Sequence, residues 1–254
     1  MACGALLLSG CASGYESFYK PVTTYAEVAP LKDGVTPAVI GGSGEPRRDL
    51  EVMYERGYQP VGYSVFNGRV EGFAGAIKVA RKSGATIIVV DRKFTNTVSG
   101  QIPITTPTVN TSYSSGTVYS GSRSGSYTAT TTTYGSETRY VPYSVDRYDQ
   151  TAVYFAPLPR RGVGVLAGDI DGRDAAKFGT GRGAFIRAIR RGGPAFNADL
   201  LAGDIVRSID GVDVVGFADF VATLKAKAGA TITLVIRRQG QDITKTLPVP
   251  AGDW

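Results

Sequence analysis

The sequence contains no histidine, only two cysteines in 254 residues, and no apolar run approaching the roughly 20 residues that a membrane-spanning helix needs. The absence of histidine excludes a Ser-His-Asp triad, a Cys-His dyad and any His-ligated metal site. Both cysteines lie within the first 11 residues, so they cannot form a disulfide framework or a four-cysteine zinc site. We therefore expect no metal and no cofactor.

The charge is also modest for a chain of this length. Lys and Arg number 28 and Asp and Glu number 22, which gives a formal net charge of +6. That density is low for a dedicated nucleic-acid-binding protein, and we expect no nucleic-acid partner. Hydrophobic residues make up 43% and charged residues 20%, which is ordinary globular usage and predicts a sizeable core.

The N-terminus resembles a bacterial lipoprotein signal. A short apolar run, Leu6 to Leu8, leads into Leu8-Ser9-Gly10-Cys11, which is similar to the lipobox, in which the cysteine is lipidated. The resemblance implies a signal segment over residues 1–11, a lipid on Cys11 and a place in the cell envelope. Ala12, where an Asp would favour the inner membrane, favours the outer membrane, facing the periplasm.

One feature of a signal peptide is missing, because no Lys or Arg precedes the apolar run. We therefore expect the natural start to lie further upstream. The alternative interpretation is an N-terminus that is apolar and contains a cysteine by accident.

Residues 12–34 are polar, with scattered Tyr and Pro, and are interpreted as a tether. From 35 to 156, short apolar strands alternate with amphipathic helices, which predicts an α/β domain. Helical spacing is clearest over Arg48 to Arg56 and over Phe73 to Ala80. The run from Ala85 to Asp91 predicts a buried strand.

A Ser/Thr/Tyr/Gly-rich insertion of low complexity occupies about residues 99–140 of this domain. It lacks the apolar residues needed to form a core. Two interpretations stay open, a flexible excursion or a long β-hairpin arm, because Thr and Tyr favour strands and Gly-Ser pairs favour turns. The favoured form has paired strands at the base and a mobile tip.

The C-terminal part, residues 157–254, carries the most informative motifs. It opens with Gly162-Val163-Gly164-Val165 and continues with GAFIRAIRRGGPA and LLAGDIVRSIDGVDV. A helix over Phe217 to Lys227 and a final hairpin complete the pattern. This order predicts a small, partly open β-barrel with two helices.

These linked motifs resemble the PDZ domain in its bacterial HtrA-protease form, over about residues 161–250. In one departure, Asp199 stands where the family usually has a glycine in a left-handed conformation, so we expect mild backbone strain there. The fold class expected overall is α+β, with an α/β domain and its hairpin-like insertion followed by the PDZ-like barrel.

The resemblance implies a peptide-binding site, because PDZ domains add a peptide as an extra strand between an edge strand and a helix. The expected site residues are Arg161, Gly162, Val163, Gly164, Val165, Phe220 and Leu224. The glycine loop would bind the peptide's terminal carboxylate, with Arg161 adding positive charge, and the two helix residues would line the side-chain pocket. The alternatives are a structural turn for the loop and core packing for Phe220 and Leu224.

Three other motifs do not support a function. Gly162 to Ala167 matches a dinucleotide fingerprint formally but lacks the strand before it and the helix after it. Gly179 to Gly183 lacks the Lys-Ser/Thr of a phosphate loop. Asp169, Asp171 and Asp174 lack the Glu that closes a calcium loop, which favours a solvated turn.

The hypothesis from sequence is a non-enzymatic, lipid-anchored envelope protein whose PDZ domain binds peptide or protein C-termini. A protease-related protein and a structural protein with an occluded PDZ groove are the alternatives.

Overall fold

The computed structural model describes residues 13–23 and 28–252 of the chain. Two open β-sheets and six helices account for the regular structure of these residues, which confirms the mixed α+β class. Cys11, the expected lipidation site, lies outside the described residues. No helix in the described ranges has the length and apolarity needed to cross a membrane.

The N-terminal domain is a five-stranded sheet in the order β1-β3-β5-β4-β2 with three helices. The elements are α1 (Gly14–Ser17), β1 (Tyr19–Pro21), β2 (Ala38–Gly41), α2 (Pro46–Glu55), β3 (Tyr58–Gly68), α3 (Ala74–Ser83), β4 (Ile87–Ser120) and β5 (Arg123–Pro157). β2 pairs parallel with β4, whereas β1 pairs antiparallel with β3. The two helices predicted from spacing, α2 and α3, are confirmed.

The segment after residue 12 differs from the expected tether, because its first part packs into the core of this domain. Ser13 caps α1 by accepting a hydrogen bond from the backbone N–H of Glu16, and Tyr15 is fully buried. The Tyr15 ring meets the Phe66 ring edge-on, with 4.9 Å between centroids. The Phe18 ring stacks on Phe66 and the Tyr19 ring meets the Tyr154 ring edge-on, so three aromatic side chains fix this otherwise polar segment.

A small polar group is buried beside Tyr15. The Ser64 hydroxyl donates to the Tyr15 carbonyl at 2.7 Å and lies 3.1 Å from the hydroxyl of Tyr154. Tyr154 is fully buried, and this burial raises the pKa of its phenol to about 12.

The raised Tyr154 pKa predicts a specific loss of stability in alkali. An unfolded phenol titrates near 10, so between pH 10 and 12 the unfolded chain loses a proton that the folded chain keeps. The stabilisation is complete below pH 10 and falls by roughly 2 kcal/mol as the pH approaches 12. Urea unfolding across this range should show a steeper decline for the wild type than for Tyr154→Phe. Parallel declines would contradict the prediction.

Residues 94–148 form a separate compact unit, and the predicted insertion of about 99–140 lies inside it. The unit is a two-stranded hairpin, which corresponds to the hairpin interpretation, but strand structure continues to Ser120 and Arg123 and therefore includes the tip that was expected to be mobile. Its turn is only Gly121-Ser122, with Gly121 at φ +61°, as a two-residue hairpin turn requires. No residue of 94–148 is buried.

Cross-strand contacts hold this hairpin together. The hydroxyls of Thr105 and Thr138 lie 3.0 Å apart, and Thr97 donates to Asp146 at 2.7 Å. The Tyr143 ring covers Gly100 so closely that a Cβ there would lie 2.9 Å from it. Such pairs are the usual unit of stabilisation in a sheet without a core.

The C-terminal domain is an open sheet in the order β11-β10-β8-β7-β6, with β9 paired to β8. Its elements are β6 (Val165–Gly168), α4 (Gly172–Phe178), β7 (Ala184–Ile189), α5 (Pro194–Asn197), β8 (Ile205–Ile209), β9 (Val212–Asp213), α6 (Phe217–Ala226), β10 (Thr231–Arg238) and β11 (Gln241–Pro248). The short helix α4 was not predicted, because its glycine and aspartate residues are typical of a turn.

Asp199 takes the backbone conformation that its sequence position predicts, with φ +54°. Its carboxylate pairs with Lys245, and its backbone carbonyl accepts a hydrogen bond from Arg238 at 2.8 Å. These contacts offset part of the strain that a residue with a Cβ has in this region.

The motif LLAGDIV folds around a buried carboxylate. Asp204 is fully buried and accepts a bidentate pair of hydrogen bonds from Arg238, at 2.7 and 2.9 Å. It also accepts the backbone N–H of Leu201 at 2.8 Å, which closes the turn before β8. Arg238 lies in β10, so this carboxylate ties the turn to the sheet.

Asp204→Ala should destabilise the C-terminal domain by about 3 kcal/mol or more, because it leaves the Arg238 guanidinium without its main partner. Asp242→Ala is the matched control, since Asp242 pairs with Arg237 at 2.8 Å but its side chain is 49% exposed. That variant should cost less than about 1 kcal/mol. If urea unfolding shows the same loss of stability for both variants, burial of Asp204 adds nothing to the stability of the domain.

Candidate peptide-binding site

The strand β6 lies at an edge of the C-terminal sheet. It pairs antiparallel with β7, with Val165 opposite Ile189 and a register shift between Leu166 and Ala167. In the described part of the chain, no strand pairs with its other edge. An open strand edge offers backbone N–H and C=O groups to an added strand.

The helix α6 is tied to the end of this strand. The Asp169 carboxylate accepts the backbone N–H of Phe217 at 2.7 Å, so the residue after β6 caps the start of α6. Val165 and Ala167 of β6 and Val221 of α6 are partly buried against one core. Each of these three side chains therefore leaves part of its apolar surface exposed, on the edge strand or on the helix.

Phe220 and Leu224, expected to line a pocket, are each 2% exposed and belong to the hydrophobic core of the domain. Of the two interpretations left open by the sequence, this conformation corresponds to core packing. Contact between either side chain and a ligand would require the core around them to open.

The glycine loop before β6 has its carbonyl groups turned into the domain. The Val163 carbonyl accepts the N–H of Ala195 at 3.0 Å, and the Gly164 carbonyl accepts the N–H of Arg190 at 2.9 Å. Gly162 and Gly164 have φ values of +61° and +79°, with Val163 between them at negative φ. This alternation is the backbone pattern of a nest, a concave turn in which successive N–H groups point towards a bound anion.

The N–H groups of this loop are available. Those of Gly162, Val163 and Gly164 donate to no group among the described residues. The Val163 side chain is 3% exposed and anchors the loop in the core. The geometry therefore provides three consecutive donors on a loop that is held from the inside.

The two arginines next to the loop differ in role. Arg161, expected to add charge, is exposed, and its backbone N–H donates to the Pro159 carbonyl. Arg190, which sequence analysis missed, is 8% exposed and donates from Nη1 to the same carbonyl at 3.0 Å. A Cβ on Gly164 would lie 3.4 Å from the Arg190 Nε. Arg190 is distant from the loop in sequence, so no local motif indicated it.

The acidic residues considered for calcium have structural roles. The Asp171 carboxylate accepts the backbone N–H of Asp174 at 2.9 Å at the start of α4, and Asp169 caps α6 as described above. The described residues contain no group of three or more Cys, Asp or Glu side chains arranged for a metal ion.

Residues 185–238 match the PDZ domain family, so the C-terminal domain is a PDZ domain, as the sequence motifs indicated. The matched range includes Phe220 and Leu224 and begins after the glycine loop. No curated protein matches the chain.

Among solved structures, the chain is similar to the HtrA-type protease AlgW with a decapeptide, at 23% identity and a TM-score of 0.33 over 40% of this chain and 37% of that chain. The same protease with a tripeptide aligns at 24% identity and a TM-score of 0.31, over 39% of each chain. The HtrA3 PDZ domain bound to a phage-derived ligand (FGRWV) aligns at 15% identity and a TM-score of 0.32, over 34% of this chain and 82% of that chain.

Proposed function

We propose that this protein is a non-enzymatic, lipid-anchored bacterial envelope protein whose PDZ domain binds the C-termini of peptides or proteins by β-strand addition. The observation that supports it best is the juxtaposition of the open edge of β6 with three unused N–H groups at Gly162, Val163 and Gly164. The lipid on Cys11 would hold the domain at the outer membrane, facing the periplasm.

Binding follows from the chemistry of the two parts. A peptide pairs with the free edge of β6 through backbone hydrogen bonds, which recognise no particular side chain. Its terminal carboxylate accepts the three loop N–H groups, which fix the position of the last residue. Because charge-assisted hydrogen bonds exceed neutral ones in strength, a free C-terminus is preferred over an internal segment.

Specificity for side chains would come from the surface between β6 and α6. Val165, Ala167 and Val221 are partly exposed and can contact a ligand directly. Access to Phe220 and Leu224 needs the core around them to open, and this cost reduces the affinity.

The burial of Phe220 and Leu224 favours one alternative, a structural envelope protein whose PDZ groove stays occluded. A protease-related role is the other, because this form of PDZ domain resembles that of HtrA proteases. The absence of histidine argues against a Ser-His-Asp mechanism. Cleavage of an unfolded protein substrate by the purified chain would favour the protease-related role.

Titration of the full chain with short peptides ending in an apolar residue tests carboxylate capture. We expect a Kd in the roughly micromolar range for the free acid. Amidation of the peptide C-terminus should weaken binding about tenfold or more, because it removes the charged acceptor of the loop N–H groups. Equal affinities would mean that Gly162 to Val165 is a structural turn, and no binding of either form would favour the occluded groove.

Gly164→Asp should weaken binding of the free peptide further, since it places a negative charge and a Cβ in the loop. Gly240→Asp is the matched control, because Gly240 has a similar φ of +84° and open space around its Cβ position, but lies in the β10–β11 turn. Both variants have similar backbone strain, so only a difference in affinity between them bears on the site.

The anchoring part of the proposal predicts the effect of Cys11→Ser. The wild type should fractionate with membranes and carry the mass of a lipid, and the variant should appear in the soluble periplasmic fraction. A wild-type protein that is soluble and carries no added mass would contradict lipid anchoring. The proposal of peptide binding would still stand.

A further inference from the structure

A cavity of about 560 Å³ lies where the N-terminal domain meets the PDZ domain, and its walls are strongly basic. Four arginines line it, Arg56, Arg160, Arg190 and Arg191, and its described lining contains no acidic side chain. The volume is in the range of small-molecule sites. Gly162 of the glycine loop also lines the cavity, whereas β6 and α6 contribute no residue to it.

Backbone hydrogen bonds between the two domains hold the walls of this cavity in place. The N–H of Leu158 donates to the Gly57 carbonyl at 2.7 Å, and the N–H of Arg191 donates to the Glu55 carbonyl at 3.0 Å. Arg56 comes from the end of α2, whereas Arg190 and Arg191 follow β7. The arginines are therefore brought together by the packing of separate elements and do not form a run on one exposed surface.

Arg190 is the residue whose incomplete hydrogen bonding suggests a ligand in this cavity. It is more than nine-tenths buried, yet only its Nη1 has a partner among the described residues, the Pro159 carbonyl. A guanidinium carries five N–H donors, and the Arg190 nitrogens that lack an acceptor in the protein keep contact with solvent. An anion in the cavity can therefore reach these donors and supply the acceptors.

The charge balance indicates what kind of anion fits. Glu55 is the carboxylate that pairs with this cluster, at 3.9 Å from Arg191, and the Arg191 side chain is 73% exposed. Four guanidinium groups and one carboxylate leave an excess of positive charge that a ligand with a single carboxylate cannot balance. Guanidinium groups bind phosphate oxygens in a bidentate manner, and a phosphate monoester carries about 1.5 to 2 negative charges near neutral pH, more than a single carboxylate.

We propose that this cavity binds a phosphate group, as a phosphate monoester or a diphosphate, with Arg190 as its buried donor and Arg56 and Arg160 closing around it. The site adjoins the proposed carboxylate loop through Gly162, but no residue of β6 or α6 lines it. A soluble metabolite or a lipid headgroup can present this group, and the two sources are separable by experiment.

The test uses the full chain and calorimetric titration with inorganic pyrophosphate at low salt. We expect saturable binding at one site, and acetate, a single carboxylate, should bind at least tenfold more weakly. Binding of phosphatidylcholine vesicles that contain phosphatidic acid, without binding of pyrophosphate, would assign the site to a lipid headgroup. Binding of neither probe would overturn the proposal.

The double variant Arg56→Gln/Arg160→Gln removes two exposed arginines of the cavity and leaves the buried Arg190 in place. It should weaken binding of whichever probe binds by at least tenfold. Arg47→Gln/Arg81→Gln is the matched control, because it removes the same charge from exposed positions of α2 and α3. An equal loss of affinity in the two double variants would mean that the probe is attracted by the net positive charge of the protein. This result would overturn the proposal.

Discussion

The backbone hydrogen bond from Arg190 to the Gly164 carbonyl is the contact on which both candidate sites depend. Together with the bond from Ala195 to Val163, it turns the carbonyls of the glycine loop inward and leaves the loop N–H groups unused. The Arg190 side chain extends from the same residue to Pro159 at the start of the domain. The turn after β7 therefore sets the shape of the loop and one wall of the basic cavity.

This arrangement separates the two requirements of peptide recognition. In the proposed mode of binding, carboxylate capture would need only the loop, which is held by backbone bonds and the buried Val163 side chain. Recognition of the last side chain by Phe220 and Leu224 would need their core packing to open. A ligand that bound in this way would bind first through its terminus, and the cost of opening would then decide which side chains are accepted.

What the sequence could predict depends on whether the interactions are local. β7 and β8 lie inside the motifs GAFIRAIRRGGPA and LLAGDIVRSIDGVDV, which indicated sheet structure because alternating apolar residues and an Asp-Gly turn are local signals. The packing of α1 and β1 was missed, since three aromatic residues, Tyr15, Phe18 and Tyr19, in a short polar segment give no periodic pattern. Arg190 was missed for a related reason, because its role exists only once the turn after β7 meets the glycine loop.

The hairpin at residues 94–148 has a different physical basis from the rest of the chain. It has no buried residue, and its sequence from 94 to 122 contains no charged side chain. An isolated two-stranded ribbon is marginally stable, and its contacts are the Thr and Tyr pairs across the strands, each worth about 0.2–1 kcal/mol. The two domains, by contrast, are held by cores and by buried groups such as Tyr154 and Asp204, so local opening of the folded chain should concentrate in the hairpin.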